Sequence, residues 1–364
     1  MNQHRDSIHT LRIELEPPER GESQADVAEQ RRWIEEGYEE GYELIATYHH
    51  YPHNGQSDPQ YLQNAADWWV EQYDALSSNA EFTINLMNEW GGHDVGASEW
   101  ASAYTDAIAT VRKGTDYTKP IVVDAPGYGQ NVHAAAEGVH EIDDDNIIIS
   151  THVYGVAYNA GAGESLRSEH LDHLDDQGYP CLIGEFGTRR PGSTDATAVI
   201  QHANELDWPV IAWAWNGDGE TPPMNMASPA WSESCSGPYS ASDYFDEIIG
   251  FLHGRSENTP DTPEDPDEPD EPDGPTTPAK PIAEIDPSTT EISVGERISF
   301  NARDTSGKSR WPTCLSWNLG DDTTKNGWWI DHRYRSSGSY TVSLTATDND
   351  GESTTDEVTI TVID

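Results

Sequence analysis

Two glutamates invite a chemical reading before any fold is considered. Glu89 closes the run "FTINLMNEW" and Glu185 follows "CLIG" in "CLIGEFG", so each carboxylate ends an apolar stretch. A strand interior selects apolar or β-branched residues, and a charged group at its end marks the point where the chain meets solvent or a ligand. Two carboxyl groups facing one another can divide a displacement at a sugar carbon, one protonating the leaving oxygen while the other attacks. Further chemistry-bearing residues end other apolar runs: Arg12 in "TLRIEL", His49 in "ATYHH", Asn88 beside Glu89, Asp124 in "VVDAPG", His152 and Tyr154 in "THVYG", and Trp213 with Trp215 in "AWAWNG". The cluster His49, His50 and His53 raises metal binding, yet adjacent strand residues point to opposite faces and no second ligand cluster accompanies them. Neither a metal nor a cofactor is expected.

These residues need a scaffold that gathers strand ends. Apolar runs predict strands at His9 to Leu15, Leu44 to His49, Phe82 to Glu89, Ile121 to Ala125, Ile147 to Tyr154, Cys181 to Phe186 and Val210 to Trp215. Amphipathic segments separate them. In one, Asp58 caps, Pro59 suits the first turn, and Leu62, Ala65, Ala66, Trp69, Tyr73 and Leu76 form an apolar stripe. Another runs from Tyr244 to Leu252 and stops at Gly254. Repeated βα units specify a parallel sheet, open or closed into a barrel. An open sheet engages a ligand only near one switch point, whereas a barrel collects every strand end at one mouth. Polar or aromatic residues at nearly every strand end favour the barrel.

The segments "INLMNEW", "THVYG", "IGEFG" and "AWAWNG", in that order, resemble glycoside hydrolase family 5, the retaining endo-glycanases built on a (β/α)8 TIM barrel. "VVDAPGYGQ" and "IGEFGTRRP" are most similar to its bacterial β-mannanase branch, and the resemblance spans roughly residues 8 to 254. It implies that Glu89 is the acid/base and Glu185 the nucleophile. It also puts Asn88 on the sugar 2-hydroxyl, His49 on a neighbouring hydroxyl, His152 and Tyr154 beside the carboxylates, Arg12 facing the nucleophile, and Trp213 under the sugar as a platform. Trp90, Tyr128 and Trp215 are candidates for outer subsites, and Asp124 reads as a structural acceptor. Arg189 and Arg190 border the mouth without an assigned role. A family barrel has eight strands; the one lacking here is the first, so an incomplete N-terminus is expected, with Arg12 on the second strand.

Composition frames the rest. The 364 residues include 66 Asp and Glu against 20 Lys and Arg, a formal net charge of −46. Such a field repels nucleic acid and anionic membrane, so neither is expected as a partner. Thirteen Trp and 16 Tyr argue for folded cores, and only nine acids fall in the tether, which leaves an acid-coated surface suited to high salt. That tether, residues 256–280, has proline at every third position from Pro260 to Pro278 with acids between, a stiff extended linker. It separates a catalytic barrel at 1–255 from a small module at 281–364. Alternation at Ile298, Phe300 and Ala302, at Val342, Leu344 and Ala346, and at Val358, Ile360 and Val362 predicts an antiparallel sandwich. "LSWNLGDD" and "GSYTVSLTATDNDG" resemble a PKD domain, an immunoglobulin-like accessory module, with Leu319 and Asp322 departing from the usual pattern. It acts as a spacer, or touches polysaccharide through Trp311, Trp328 and Trp329. Cys181, Cys235 and Cys314 form no disulfide framework or zinc pattern.

The expected protein is a secreted, monomeric endo-β-1,4-glycanase whose partner is polysaccharide, β-mannan foremost. An endoglucanase acting on cellulose and a noncatalytic carbohydrate-binding protein on a degenerate barrel are the alternatives.

Overall fold

A computed structural model describes residues 8–17, 27–216, 223–228, 240–252, 282–302, 314–327, 329–347 and 352–363. Met1 to Ser7, Gly254, the proline-rich tether, Cys235, Trp311 and Trp328, and the side chains of Cys314 and Trp329, lie outside what is described. Two compact units result, one dominated by the first 226 residues and one by residues after 256.

In the first unit, strands alternate with helices as the apolar periodicity predicts. The barrel strands are β1 (Thr10–Leu15), β2 (Glu43–Tyr48), β3 (Thr83–Asn85), β4 (Ile121–Asp124) and β5 (Ile147–Tyr154). A short hairpin follows, β6 (Tyr158–Asn159) with β7 (Glu164–Ser165), and then β8 (Cys181–Gly187) and β9 (Val210–Ala212) complete the sheet. The helices between them are α1 (Val27–Glu39), α2 (Pro59–Leu76), α3 (Ala97–Gly114), α4 (Val132–Gly138), α5 (Glu169–Asp175), α6 (Ala196–Glu205) and α7 (Asp243–Leu252). Asp58 caps α2 through the Gln60 amide at 2.9 Å, as its position before Pro59 predicts. Leu62, Ala65, Ala66, Trp69 and Leu76 turn inward.

Seven parallel strands run in the order β1, β2, β3, β4, β5, β8, β9, one nearly closed barrel. The two end strands approach each other but do not pair. A cavity of about 230 Å³ lies between them, bordered by Leu11 and Arg12 on one side, Val210 and Ala212 on the other, with Trp215 and Phe251. No eighth barrel strand occurs among the described residues, in keeping with the sequence reading.

Three buried indoles tie the helical layer to the strand ends. Trp69 donates to the Leu86 carbonyl at 3.0 Å, Trp100 to Asp124 at 2.9 Å and Trp90 to Asp58 at 3.0 Å. A buried indole N–H demands a partner; the Leu86 and Asp124 carbonyls lie where strand pairing ends, and the Asp58 carbonyl lies at the start of α2. The strand expected over Phe82 to Glu89 is shorter. Its ladder stops at Asn85, although the Leu86 and Asn88 amides still donate to Val122 and Tyr48, and Asn88 and Glu89 form a turn. The ladder of β9 likewise stops at Ala212, short of the expected Trp215.

The second unit holds a three-stranded sheet (Asp286–Pro287, Ile298–Asn301, Trp329–His332) and a five-stranded sheet. The latter orders Glu291–Ser293, Ser353–Ile363, Gly338–Thr347, Cys314–Asn318 and Thr324–Asn326. The expected alternation is realised: Phe300, Trp317, Val342, Leu344 and Ile360 are fully buried in one core.

Candidate active site

Each strand delivers its group by a local device. Glu89 sits in the turn after β3 with φ +49°, a conformation that non-glycine residues seldom adopt. That turn is held from both sides: the Glu89 amide donates to Asp124 Oδ2 at 2.8 Å, and its carbonyl accepts the Gly55 amide at 2.7 Å. Glu185 is positioned by an irregularity in β8. Thr151 pairs with Ile183, but His152 pairs with Glu185, so one extra residue bulges at Gly184. A side chain at 184 would stand 2.2 Å from Ser150 Oγ and 3.2 Å from His152 Nε2; glycine keeps that space open.

The two carboxylates converge. One oxygen each of Glu89 and Glu185 and a ring nitrogen of His152 lie within 4.8 Å of one another. His152, fully buried, presents Nδ1 to Glu89 Oε1 at 3.0 Å and to Glu185 Oε2 at 3.7 Å, with Nε2 3.5 Å from Asp124 Oδ2. Arg12 donates to Glu185 Oε1 at 2.8 Å, to Asn88 Oδ1 at 2.5 Å and to Asn85 Oδ1 at 3.1 Å. The Tyr154 hydroxyl donates to Glu185 Oε2 at 2.8 Å. His49, also buried, lies 3.5 Å from Glu14.

Those contacts push the two acids apart electrostatically. Burial alone would raise Glu185, but His152, Arg12, the Tyr154 hydrogen bond and His49 outweigh it and hold the carboxyl at about 2. Burial raises Glu89 above the usual carboxylate range; the His152 hydrogen bond opposes this and the charge of Glu185 reinforces it. Burial would discharge His152, yet Glu185, Asp124 and Glu89 raise it to about 9. Glu185 thus stays ionised while Glu89 favours its proton, the division of labour that acid-assisted displacement needs. Three ligand atoms at this spacing could geometrically hold a cation. The guanidinium on Glu185 and an imidazolium at His152 already fill the site with positive charge, which opposes one.

Of the residues singled out in the sequence, Arg12, Asn88, Glu89, His152, Tyr154 and Glu185 share this network, and His49 borders it. Trp213 is half-buried; its amide donates to Phe186 at 2.8 Å and its carbonyl accepts the Tyr244 hydroxyl at 2.9 Å. Trp215 borders the cavity between β1 and β9. Tyr128 is exposed beside His93. The expectation for Trp90 is corrected. It is fully buried, edge-on to Tyr104 at 5.9 Å, and a ring with no exposed face cannot stack on sugar. Arg190 lies over the Tyr154 ring at 4.9 Å, while Arg189 bonds Glu247 at 3.0 Å. His50 and His53 contact each other, and His53 stacks on Tyr61. Asn85 and Glu14 were not singled out. Asn85 is buried and links Arg12 to Thr47 and Asp124. An amide within an apolar strand, and a glutamate two places after Arg12 on the same strand face, were the signals available.

A nearly closed parallel barrel with its reactive groups on β1, on the C-terminal parts of β5 and β8 and in the turn after β3 defines a (β/α)-barrel protein with the site at the C-terminal face. The cellulase model, glycosyl hydrolase family 5, matches residues 15–219, more than half of the chain, and the chain belongs to that family. A PKD domain model matches residues 278–362. A mannan endo-1,4-beta-mannosidase of Salipaludibacillus agaradhaerens is 32% identical over 181 residues, covering 48% of this chain and 57% of that protein. A beta-mannanase/endoglucanase A of Caldicellulosiruptor saccharolyticus is 31% identical over 164 residues, 43% of this chain and 12% of that one. The chain thus spans little more than half of the first relative and a small part of the second. The solved catalytic domain of a mannanase from Streptomyces sp. SirexAA-E superposes with a TM-score of 0.53 at 25% identity, over 68% of this chain and 76% of that one.

Proposed function

We propose that the barrel hydrolyses β-1,4-linked plant polysaccharide, β-mannan foremost, with retention of configuration. The observation that carries this reading is the pair of carboxylates with oxygens within 4.8 Å and opposed protonation preferences. Retaining enzymes hold the two groups about 5–5.5 Å apart, too close to admit a water between them and the sugar. Glu185, ionised and oriented by Arg12 and Tyr154, attacks the anomeric carbon. As that bond forms, the glycosidic bond breaks and Glu89 gives its proton to the departing oxygen. Glu89, now a carboxylate, takes a proton from water, whose oxygen attacks the same carbon and releases Glu185. Asn88 and His49 serve as hydroxyl contacts and Trp213 as the platform.

The mannosidase and mannanase names of the relatives support β-mannan; the second relative's double name keeps cellulose as the alternative. A polymer too large to enter a cell is met outside it, so under this reading the protein is secreted; it acts as a monomer. The tether then carries the PKD module as a spacer, and the acidic surface suits a saline medium. Glu185→Gln tests the chemistry: hydrolysis of β-mannan falls by about 10³-fold or more while binding to the polymer survives. Hydrolysis of carboxymethylcellulose alone by the unaltered protein overturns the mannan assignment. Absence of hydrolysis with binding intact leaves a carbohydrate-binding barrel.

A further inference from the structure

Among the described residues of the barrel unit, four of the five exposed large apolar side chains lie in the connections that follow barrel strands: Tyr51 after β2, Tyr128 after β4, and Val156 and Tyr158 after β5. Isolated apolar exposure is ordinary, but its concentration on the face that carries the chemistry marks a ligand surface. Tyr128 is the most informative. Residues 127–129 read Gly-Tyr-Gly, and all three are left-handed, with φ +67°, +60° and +74°. Glycine adopts that conformation freely and tyrosine does not, so the central position carries backbone strain while its ring stays 36% exposed. Burial does not explain a tyrosine there.

The loop is built to hold that ring. The Gly127 and Tyr128 amides both donate to the Gly91 carbonyl, at 2.9 and 3.1 Å, in the segment that follows Glu89. Buried Gln130 accepts the Tyr158 amide at 2.9 Å, and buried Asn131 accepts Gly161 at 2.9 Å, so two amide side chains clamp the β6–β7 hairpin to the same loop. Between the tyrosines stands exposed His93, its ring 5.4 Å from Tyr128 and 5.6 Å from Tyr158. Tyr128 also borders Gly55, where a side chain would meet its ring at 2.1 Å, and the Gly55 amide bonds the Glu89 carbonyl.

The geometry points to Tyr128, His93 and Tyr158 as an aromatic rim that binds a β-1,4-linked hexopyranosyl unit on the leaving-group side of the scissile bond. This rests on the reading of Glu89 as the acid: the rim is anchored to the Glu89 loop, and the acid faces the departing sugar. The apolar C–H face of a pyranose matches an exposed tyrosine ring, and the neighbouring imidazole offers a hydrogen bond to its hydroxyls.

Tyr128→Gly separates this role from a structural one, because glycine relieves the backbone and deletes the ring. Its melting temperature holds or rises, while KM for mannohexaose rises about 3- to 10-fold. The loss is smaller on an aryl β-mannobioside, whose leaving group is not a sugar. Transfer to added mannobiose falls, and Tyr158→Ala shows the same pattern. Equal losses on both substrates, or an unchanged KM for mannohexaose, overturn the rim. If the unaltered protein hydrolyses nothing, calorimetric titration with mannohexaose decides it: the rim requires weaker binding by Tyr128→Gly, and unchanged or absent binding refutes it.

Discussion

Asp124 lies, fully buried, beneath both Glu89 and His152, accepting the Glu89 amide at 2.8 Å and facing His152 Nε2 at 3.5 Å. It therefore fixes the strained turn of the acid and, together with Glu185 and the Glu89 hydrogen bond, keeps one imidazole charged. His152 is raised from 6.5 to about 9 by folding. A group raised in the folded state contributes stability that is full below pH 6.5 and is lost as pH rises through about 9. The melting temperature should accordingly decline between those values, read by circular dichroism across a pH series. In Asp124→Asn one of the carboxylates is gone, the imidazole discharges sooner, and the decline begins at lower pH. An Asp124→Asn profile parallel to that of the unaltered protein would show that Asp124 supports the turn alone. Glu89 and Glu185 stood out in the sequence because each ends an apolar run. Asp124 ends one too, yet which of its neighbours it serves depends on β4 lying beside β5, which no local pattern records.

At the scale of elements, glycine positions separate packing from propensity. Gly155, after β5, and Gly192, after β8, approach backbone to backbone: a Cβ on Gly192 would fall 1.7 Å from the Gly155 carbonyl oxygen. Neither backbone can yield as a side-chain tip would, so Gly192→Ala pushes the two loops apart and displaces Arg190 from Tyr154. It should cost about 1–3 kcal/mol and lower kcat/KM. Gly250, in α7, has nothing within 4 Å of its would-be Cβ, so Gly250→Ala should stabilise by about 0.5 kcal/mol through helix propensity. Urea titration of both variants checks the contrast. The β5 span was legible to the residue, since Ile147 to Ile149 and Val153 mark a strand buried on both faces. β3 was overread because Leu86 and Met87 are as apolar as a strand while their pairing already gives way to a turn. The bulge at Gly184 left no signature beyond a glycine.

Across the whole molecule, charge is the dominant sequence-level quantity. With 57 acids outside the tether, like charges repel one another, and raising salt from 0.1 M to 1 M shortens the reach of that repulsion from about 10 Å to about 3 Å. The melting temperature should climb by roughly 5 °C or more between 0.1 and 2 M KCl. A flat response would show that the acids are spaced widely enough not to repel one another. A second global feature is that β1 and β9 each have one edge without a strand partner among the described residues. These edges flank a cavity lined on both sides by strand residues.

The sequence by itself determined the alternation of strands and helices, the seven barrel strands, the sandwich pattern and the residue types at each strand end. Those follow from periodicity and side-chain chemistry, which are local. Only the tertiary structure decided that Glu89 and Glu185 meet within 4.8 Å, that His152 bridges them, and that Trp90 is core while Tyr128 stays exposed. Burial and protonation depend on what the rest of the chain brings alongside, and distance along the sequence carries none of that information.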